Sequence, residues 1–421
     1  MSVLTDAPLA PAPSSRWDRF LRERFRARLA SLEGGLVRCR DPLGTYEVGD
    51  VAAGGRAVEI HIRDCAFYRR LAAGGSVAAA EAFIDGLWET DDLVAVVRLL
   101  VRNRDVLDGL EKGPARLAGA LLRLAHALRR NSRNGARRNI AAHYDLGNAF
   151  FQLFLSEDLM YSSALYANVD DTLEIASRRK LDTICRKLEL KPSDRVVEIG
   201  TGWGGFAIHA ARHYGCHVTT TTISAEQHAY AAERIVAAGL EDRITLLHAD
   251  YRDVSGQYDK LVSIEMIEAV GAEFLDTYFA KLEALLVPDG RALVQAITIE
   301  DHRYAQAVRR VDFIKRHVFP GSFIPSIEAI VASKTRSTEL ALVHLEDFGG
   351  SYARTLAGWR ERFHAARASA RELGYDERFL RLWDFYLAYC EGGFRERAIG
   401  VAQLVFDKPG RAAARDAAVR L

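Results

Sequence analysis

The residue types able to do chemistry gather in a few short stretches. Glu198-Ile199-Gly200-Thr201-Gly202-Trp203-Gly204-Gly205 follows the apolar pair Val196-Val197 and precedes a helical pattern through Phe206, Ile208 and Ala211. A β-branched run then covers residues 218–223. Strand, glycine-rich turn, helix and strand make a βαβ unit. The glycines let backbone approach a ligand and take φ angles that other residues resist. The N–H groups opening the helix suit a carboxylate. Gly200-x-Gly202-x-Gly204 is tighter than the dinucleotide fingerprint, although Gly205 gives it a partial match. The second strand ends in threonines and serine rather than the acid expected for a ribose diol. This pattern favours S-adenosylmethionine over NAD; a tight turn without any cofactor is the remaining alternative. Asp250-Tyr251-Arg252 follows a predicted strand at Ile244–His248, and Glu265-Met266-Ile267-Glu268 follows another at residues 260–264.

These loops need a scaffold that brings them together. Val287-Pro288-Asp289-Gly290 reads as a turn and residues 291–299 as a further strand. Strands alternating with helices predict an α/β fold with a mostly parallel sheet covered on both faces. Loops that follow its strands converge on one edge. Upstream, residues 35–66 alternate apolar and polar around Gly54-Gly55, as a strand pair does, and residues 71–102 read as helices broken at Gly74-Gly75 and Asp85-Gly86. The domain expectation is a disordered N-terminus at 1–15, a small mixed α+β domain at 16–110, a basic linker helix at 111–138, and the Rossmann-like domain at 139–421.

Lys and Arg number 57 against 56 acids, a balance that excludes a general nucleic-acid binder. The 5 cysteines are scattered without a CxxC pair, as expected in a reducing compartment. His209, His213, His217 and His248 lack metal-ligand spacing, and no metal is expected. The start of the chain lacks a signal-peptide pattern, and no run of about 18 uncharged apolar residues offers a membrane span. The expected location is cytoplasmic, peripheral at the inner face of a membrane. Residues 16–32 mix Trp17, Phe20, Leu21, Phe25 and Leu29 with 6 arginines, and residues 111–138 carry 8 Lys or Arg against Glu111 alone. Basic residues beside apolar ones suit an anionic membrane surface. The plain alternatives are a helix packed on its own domain and a solvated linker.

Several ordered stretches together carry a wider pattern: Ala142-His143-Tyr144-Asp145-Leu146-Gly147-Asn148, Met160-Tyr161-Ser162-Ser163-Ala164, residues 200–205, Thr222-Ile223-Ser224-Ala225-Glu226-Gln227, residues 265–271, Phe319-Pro320-Gly321 and Gly392-Gly393-Phe394-Arg395. In this order and spacing the chain resembles the cyclopropane fatty acid synthase family, most strongly from residue 139 to 406. Its N-terminal domain is similar to the lipid-binding domain of longer bacterial members. The resemblance implies a class I methyltransferase domain acting with S-adenosylmethionine on cis double bonds of phospholipid acyl chains. It places the methionine end of the cofactor near Tyr161, Ser162, Gly200 and Gly202, the ribose on Thr222 and Gln227, and the adenine pocket at Asp250, Tyr251 and Arg252. It also implies a bicarbonate ion held by Ser163, Glu268, Gln295, Ile297 and Tyr352. Ser163 stands where such synthases commonly carry Cys, and Gln295 where they commonly carry His.

Methyl transfer to an alkene leaves a carbocation. Tyr161, Tyr352, Tyr278, Phe274 and Phe319 are the candidates for cation–π support. Glu268 is the candidate base, acting directly or by positioning the anion, whereas Glu265 is expected to support the fold or the cofactor. Loss of a proton from the new methyl closes a cyclopropane; a prior hydride shift gives a methylene branch. A saturated methyl branch requires a separate reductase. A small-molecule methyltransferase and a silent lipid-binding protein are the other readings. Partners expected are the lipid chain, the membrane surface and, in a homodimer, a second copy.

Overall fold

The computed structural model describes residues 15–50, 57–104, 106 and 146–411. The basic segment 111–138 and the residues Ala142, His143, Tyr144 and Asp145 lie outside the described residues. The chain divides into two compact units: Met1–Leu122 with Asp376–Gly392, and Arg123–Tyr375 with Gly393–Leu421.

The first unit holds the strands β1 (Gly35–Asp41), β2 (Gly44–Asp50), β3 (Ala57–Ile62) and β4 (Trp88–Glu89), in the order β2-β1-β3-β4. β1 and β2 form an antiparallel hairpin with Asp41 opposite Gly44, whereas β3 runs parallel to β1. The hairpin turn falls at Pro42-Leu43; Gly54-Gly55, the expected centre, lies outside the described residues, and the strands on either side of it, β2 and β3, each pair with β1 rather than with each other. Pro-Leu is not a recognisable hairpin signal, and the positive φ of 127° at Gly44 supplies the backbone freedom instead. Gly75 breaks the helix Ala66–Ile84 internally with φ 62°, and Gly86 follows its end with φ 75°. The helix Arg16–Leu29 begins with a capping box between Ser15 and Asp18.

The second unit is built on a sheet of 7 strands. They are β5 (Arg195–Ile199), β6 (His217–Thr222), β7 (Ile244–His248), β8 (Tyr258–Ile264), β9 (Leu286–Ile299), β10 (Ala341–Asp347) and β11 (Ile399–Asp407). Their order is β10-β11-β9-β8-β5-β6-β7. β9, β8, β5, β6 and β7 run parallel, and β11 is antiparallel to both of its neighbours. This is the mostly parallel α/β sheet expected from the strand–helix alternation. Val196, Val197, Glu198 and Ile199 of central β5 are all buried, as a strand covered on both faces must be. One helical layer brings Phe206, Leu181 and Ile184 against β5 and β6, and the other brings Tyr278, Phe279 and Leu282 against β8 and β9. The predicted turn at Val287-Pro288-Asp289-Gly290 is absorbed into β9 as an irregularity: Tyr258 pairs with Leu286, and Lys260 already with Arg291.

Candidate active site

The carboxyl ends of the parallel strands carry the site. After β5 the chain turns through Gly200 (φ 102°), Gly202 (φ 52°) and Gly204 (φ 85°) into the helix Gly205–Tyr214. The N–H groups of Gly200 and Thr201 both donate to the Thr221 carbonyl, at 3.2 and 3.0 Å, which ties the turn to β6. A Cβ on Gly200 would approach Met266 Cγ to 3.3 Å, so this turn abuts the loop after β8. A Cβ on Gly202 would meet nothing within 4 Å. The turn thus faces open space there.

Beneath it lies a buried polar group. Thr220 Oγ1 donates to Glu198 Oε2 at 2.6 Å and lies 2.7 Å from Thr201 Oγ1. Burial pushes the Glu198 carboxyl up to about 8, against the opposing effects of Thr220 and Lys180. Lys180 Nζ donates to Ser162 Oγ at 2.8 Å. Burial lowers this amine to about 8, opposed by the charges of Asp158, Glu265 and Glu198. At the end of β6, Thr222 Oγ1 donates to Gln227 Oε1 at 3.0 Å, and Ser224 caps the helix that carries Gln227. After β7, both oxygens of buried Asp250 accept from the Arg252 guanidinium, at 2.8 and 2.7 Å. The Tyr251 hydroxyl next to them is buried without a hydrogen-bond partner.

The loop after β8 is the chemical centre. Glu265 has φ 50°, a backbone region that non-glycine residues seldom occupy. Parallel pairing sets Ile264 beside Gln295, so the next carboxylate reaches the Gln295 amide. Glu265 Oε1 accepts from Gln295 Nε2 at 2.8 Å and from the Ser163 N–H at 2.9 Å. Glu265 Oε2 accepts from the Tyr352 hydroxyl at 2.7 Å. Burial raises the pKa of Glu265, and these three donors together with Lys180 oppose the rise. Glu268 Oε1 accepts from the Ile297 N–H at 2.6 Å, and its Oε2 is shut off from solvent with no partner. Burial first, then the charge of Glu265, pushes Glu268 up to about 8.

Gln295 is wholly buried, and both ends of its amide are used. Its Oε1 accepts from Gln403 Nε2 at 3.0 Å, and Gln403 Oε1 accepts from Lys187 Nζ at 2.7 Å. The carboxylate at one end and the Gln403 amide at the other fix which way the Gln295 amide faces. The Ser163 hydroxyl turns away and donates to the Ala164 carbonyl at 2.9 Å, so its contribution to this centre is its backbone N–H.

An aromatic wall stands alongside. Tyr161 stacks on Trp359 with centroids 5.3 Å apart and also meets Phe151 and Phe319. Tyr352 packs edge-on to Trp359 and at 4.4 Å against Phe394. Tyr161, Tyr352 and Phe319 therefore come together as the sequence suggested. Tyr278 does not join them: it is fully buried in the core behind β8 and β9, and Phe274 packs against that same core. Glu265, Lys180 and Trp359 are the residues that the sequence reading passed over as site members. The acid pair Glu265 and Glu268, spaced by three after a strand, was the available signal for the first. Lys180 and Trp359 sit inside ordinary helical patterns that offered none.

A family model described as mycolic acid cyclopropane synthetase matches residues 131–404. The chain is 36% identical over 414 residues to the tuberculostearic acid methyltransferase UfaA1 of Mycobacterium tuberculosis, covering 96% of this chain and 93% of that one. It is 37% identical over 358 residues to the cyclopropane-fatty-acyl-phospholipid synthase of Escherichia coli strain K12, covering 84% and 89% respectively. The solved structure of the mycolic acid cyclopropane synthase CmaA1 complexed with SAH and CTAB matches with a TM-score of 0.61 at 28% identity, covering 65% of this chain and 98% of that one.

Proposed function

The chain belongs to the mycolic acid cyclopropane synthetase family and is an S-adenosylmethionine-dependent methyltransferase, and from that premise we propose that it adds one carbon to a cis double bond of a phospholipid acyl chain and closes a cyclopropane ring. The observation that carries this reading is the carboxylate pair Glu265 and Glu268 set with Tyr161 and Tyr352 beside the glycine turn.

When bound, S-adenosylmethionine supplies an electrophilic methyl group. The residues present fit it. Open space at Gly202 leaves room for a ligand against backbone, and the orphaned Tyr251 hydroxyl offers a polar contact. Tyr161, Ser162, Gly200 and Gly202 would hold its methionine end, Thr222 and Gln227 its ribose, and Asp250, Tyr251 and Arg252 would line the adenine pocket. Replacing Gly202 with Val fills the open space and forces a β-branched residue to φ 52°, which costs stability as well as room for the ligand. Calorimetric titration with S-adenosylhomocysteine is expected to show binding lost in a variant that still unfolds cooperatively, at a lowered melting temperature. Parent-like affinity would remove this turn from the site.

An alkene is a weak nucleophile, so correct placement is the main catalytic device. The positive charge that develops on the lipid chain is met by the ring faces of Tyr161 and Tyr352 and by the glutamate pair. Glu268 Oε2, buried and unpartnered, then takes a proton from the newly attached carbon. The electron pair of that C–H bond forms the closing ring bond, and the positive charge is discharged.

One observation favours a second product. The relative aligned over 96% of this chain is named a methyltransferase rather than a cyclopropane synthase. A hydride shift before proton loss converts the same cation to a methylene branch, and a separate reductase would saturate it. Lipids from cells expressing the chain, compared with cells lacking it, decide between these by mass and ring-opening chemistry. No new lipid at all would sink the whole reading.

Among the described residues no helix is long and apolar enough to cross a membrane. The reading of peripheral membrane contact is supported by the helix Arg16–Leu29. Trp17 and Phe20 are 57% and 48% exposed and stack at 5.2 Å, with Arg24 over the Phe20 ring at 5.8 Å. Positions three and four apart share a helix face, so rings and cation present one surface suited to an anionic bilayer. The change Trp17→Ala with Phe20→Ala is expected to reduce sedimentation with anionic vesicles at least tenfold. Equal sedimentation of variant and parent would leave this helix as a surface element only.

A further inference from the structure

Bicarbonate does not fit the donors expected to hold it. Of the five positions implied for that ion, Ser163, Gln295 and Tyr352 already donate to Glu265, and the Ile297 N–H already donates to the fifth, Glu268. A second anion at this place would have to displace a carboxylate that accepts three hydrogen bonds, and it would stand beside two acids. Three negative charges crowded into one buried site would strongly oppose one another's ionisation.

We propose that the Glu265 carboxylate is the resident anion of this site, standing in the place of a diffusible bicarbonate and sustaining the basicity of Glu268. The proposal rests on the lipid-methylating reading above and assigns the anion within it. Several features of the site support it. The three donors come from separate elements: the loop before the helix Leu173–Leu188, strand β9, and the helix Gly349–Ala365. Such convergence on one carboxylate is the arrangement that holds a carboxylate in its charged form. The Gln403 contact locks the Gln295 amide with its N–H₂ toward Glu265. Glu265 also keeps a left-handed backbone, a cost borne only where the surroundings over-determine it. The charged and titratable groups facing the pair are Lys180 and Tyr352 toward Glu265, and Tyr278 toward Glu268. Glu265 acts through its charge, as a positioning residue, and Glu268 takes the proton.

The substitution Glu265→Gly tests this directly, because φ 50° suits glycine and removal of the side chain frees the three donors. Calorimetric titration with bicarbonate is expected to show binding to Glu265→Gly and none to the parent. In carbon-dioxide-free buffer the parent should keep its full rate. Glu265→Gly should fall at least a hundredfold and regain at least tenfold on adding bicarbonate. Glu265→Gln keeps the place filled without charge; it should be equally slow, gain nothing from bicarbonate, and show its rising pH limb displaced to lower pH than the parent. Saturable binding of bicarbonate to the parent, or loss of parent activity on removing it, overturns the proposal. So does a parent-like rate in Glu265→Gln. Should Glu265→Gly fail to fold, the parent titration and Glu265→Gln still decide. Should the parent make no lipid product, the catalytic reading fails, and the two bicarbonate titrations judge the anion assignment separately.

Discussion

Replacing Glu268 with Gln will lower turnover about 10²–10⁴-fold while leaving affinity for S-adenosylhomocysteine at the parent value. The amide keeps the shape and still accepts from the Ile297 N–H through its carbonyl oxygen. What it loses is the ability to take a proton at the second oxygen, which has no partner and no contact with solvent. The pH dependence carries the same information with a definite sign. The ionised form of Glu268 is the active one, and burial beside Glu265 pushes its pKa up to about 8. Turnover of the parent should therefore rise with pH and level off above about 8. A base tuned near the working pH combines a useful ionised fraction with a strong pull on the proton. In Glu268→Gln this limb should vanish. A variant that turns over at the parent rate with the same pH profile would remove Glu268 from the chemistry.

The change Arg291→Met is expected to cost roughly 3–5 kcal/mol of stability, because it strands a buried carboxylate. Arg291 donates to both oxygens of Asp407, at 2.6 and 2.7 Å, and to Glu189 at 2.7 Å. Its side chain is only 7% exposed and that of Asp407 10%, so water cannot take over the pairing. Arg411 Nε, 3.4 Å from Asp407, softens the loss without removing it. The pair also matters for the site. Arg291 stands opposite Asp407 in the β9–β11 register, and the same register sets Gln295 opposite Gln403. Denaturant unfolding followed by tryptophan fluorescence measures the loss. The double change Arg291→Met with Asp407→Leu should recover most of it, since apolar residues often replace a buried ion pair without penalty. A single variant within 1 kcal/mol of the parent would show that this clamp holds nothing.

Local patterns in the chain were enough to determine the scaffold. Valines before a glycine-rich turn, β-branched residues after it and strands alternating with helices specify a parallel sheet, because burial on both faces demands continuous apolar strands. The same patterns located the loops, since each followed a strand whose carboxyl end must lie on one edge. It was the resemblance to the cyclopropane fatty acid synthase family, not local pattern, that marked Tyr161, Ser162, Gln227 and Tyr352 for attention. The hairpin turn at Pro42-Leu43 escaped notice because its geometry depends on Gly44 rather than on turn residues of familiar type.

Tertiary structure alone decided what the chemical residues touch. No spacing rule connects Ser163, Glu265, Gln295 and Tyr352, which are joined only when two loops, a strand and a helix converge. The resemblance implied Ser163 as a bicarbonate ligand, but the fold presents its N–H to Glu265 and turns the hydroxyl to the Ala164 carbonyl. The resemblance implied Gln295 as a bicarbonate ligand, but the fold engages both ends of its amide within the protein. The sequence left Glu265 to support the fold or the cofactor, whereas a left-handed turn carries that carboxylate to three donors at the centre of the site. Periodicity along a chain reports which face a residue occupies. Hydrogen bonds between distant segments follow from strand register and helix packing, and these are settled only when the whole sheet has assembled.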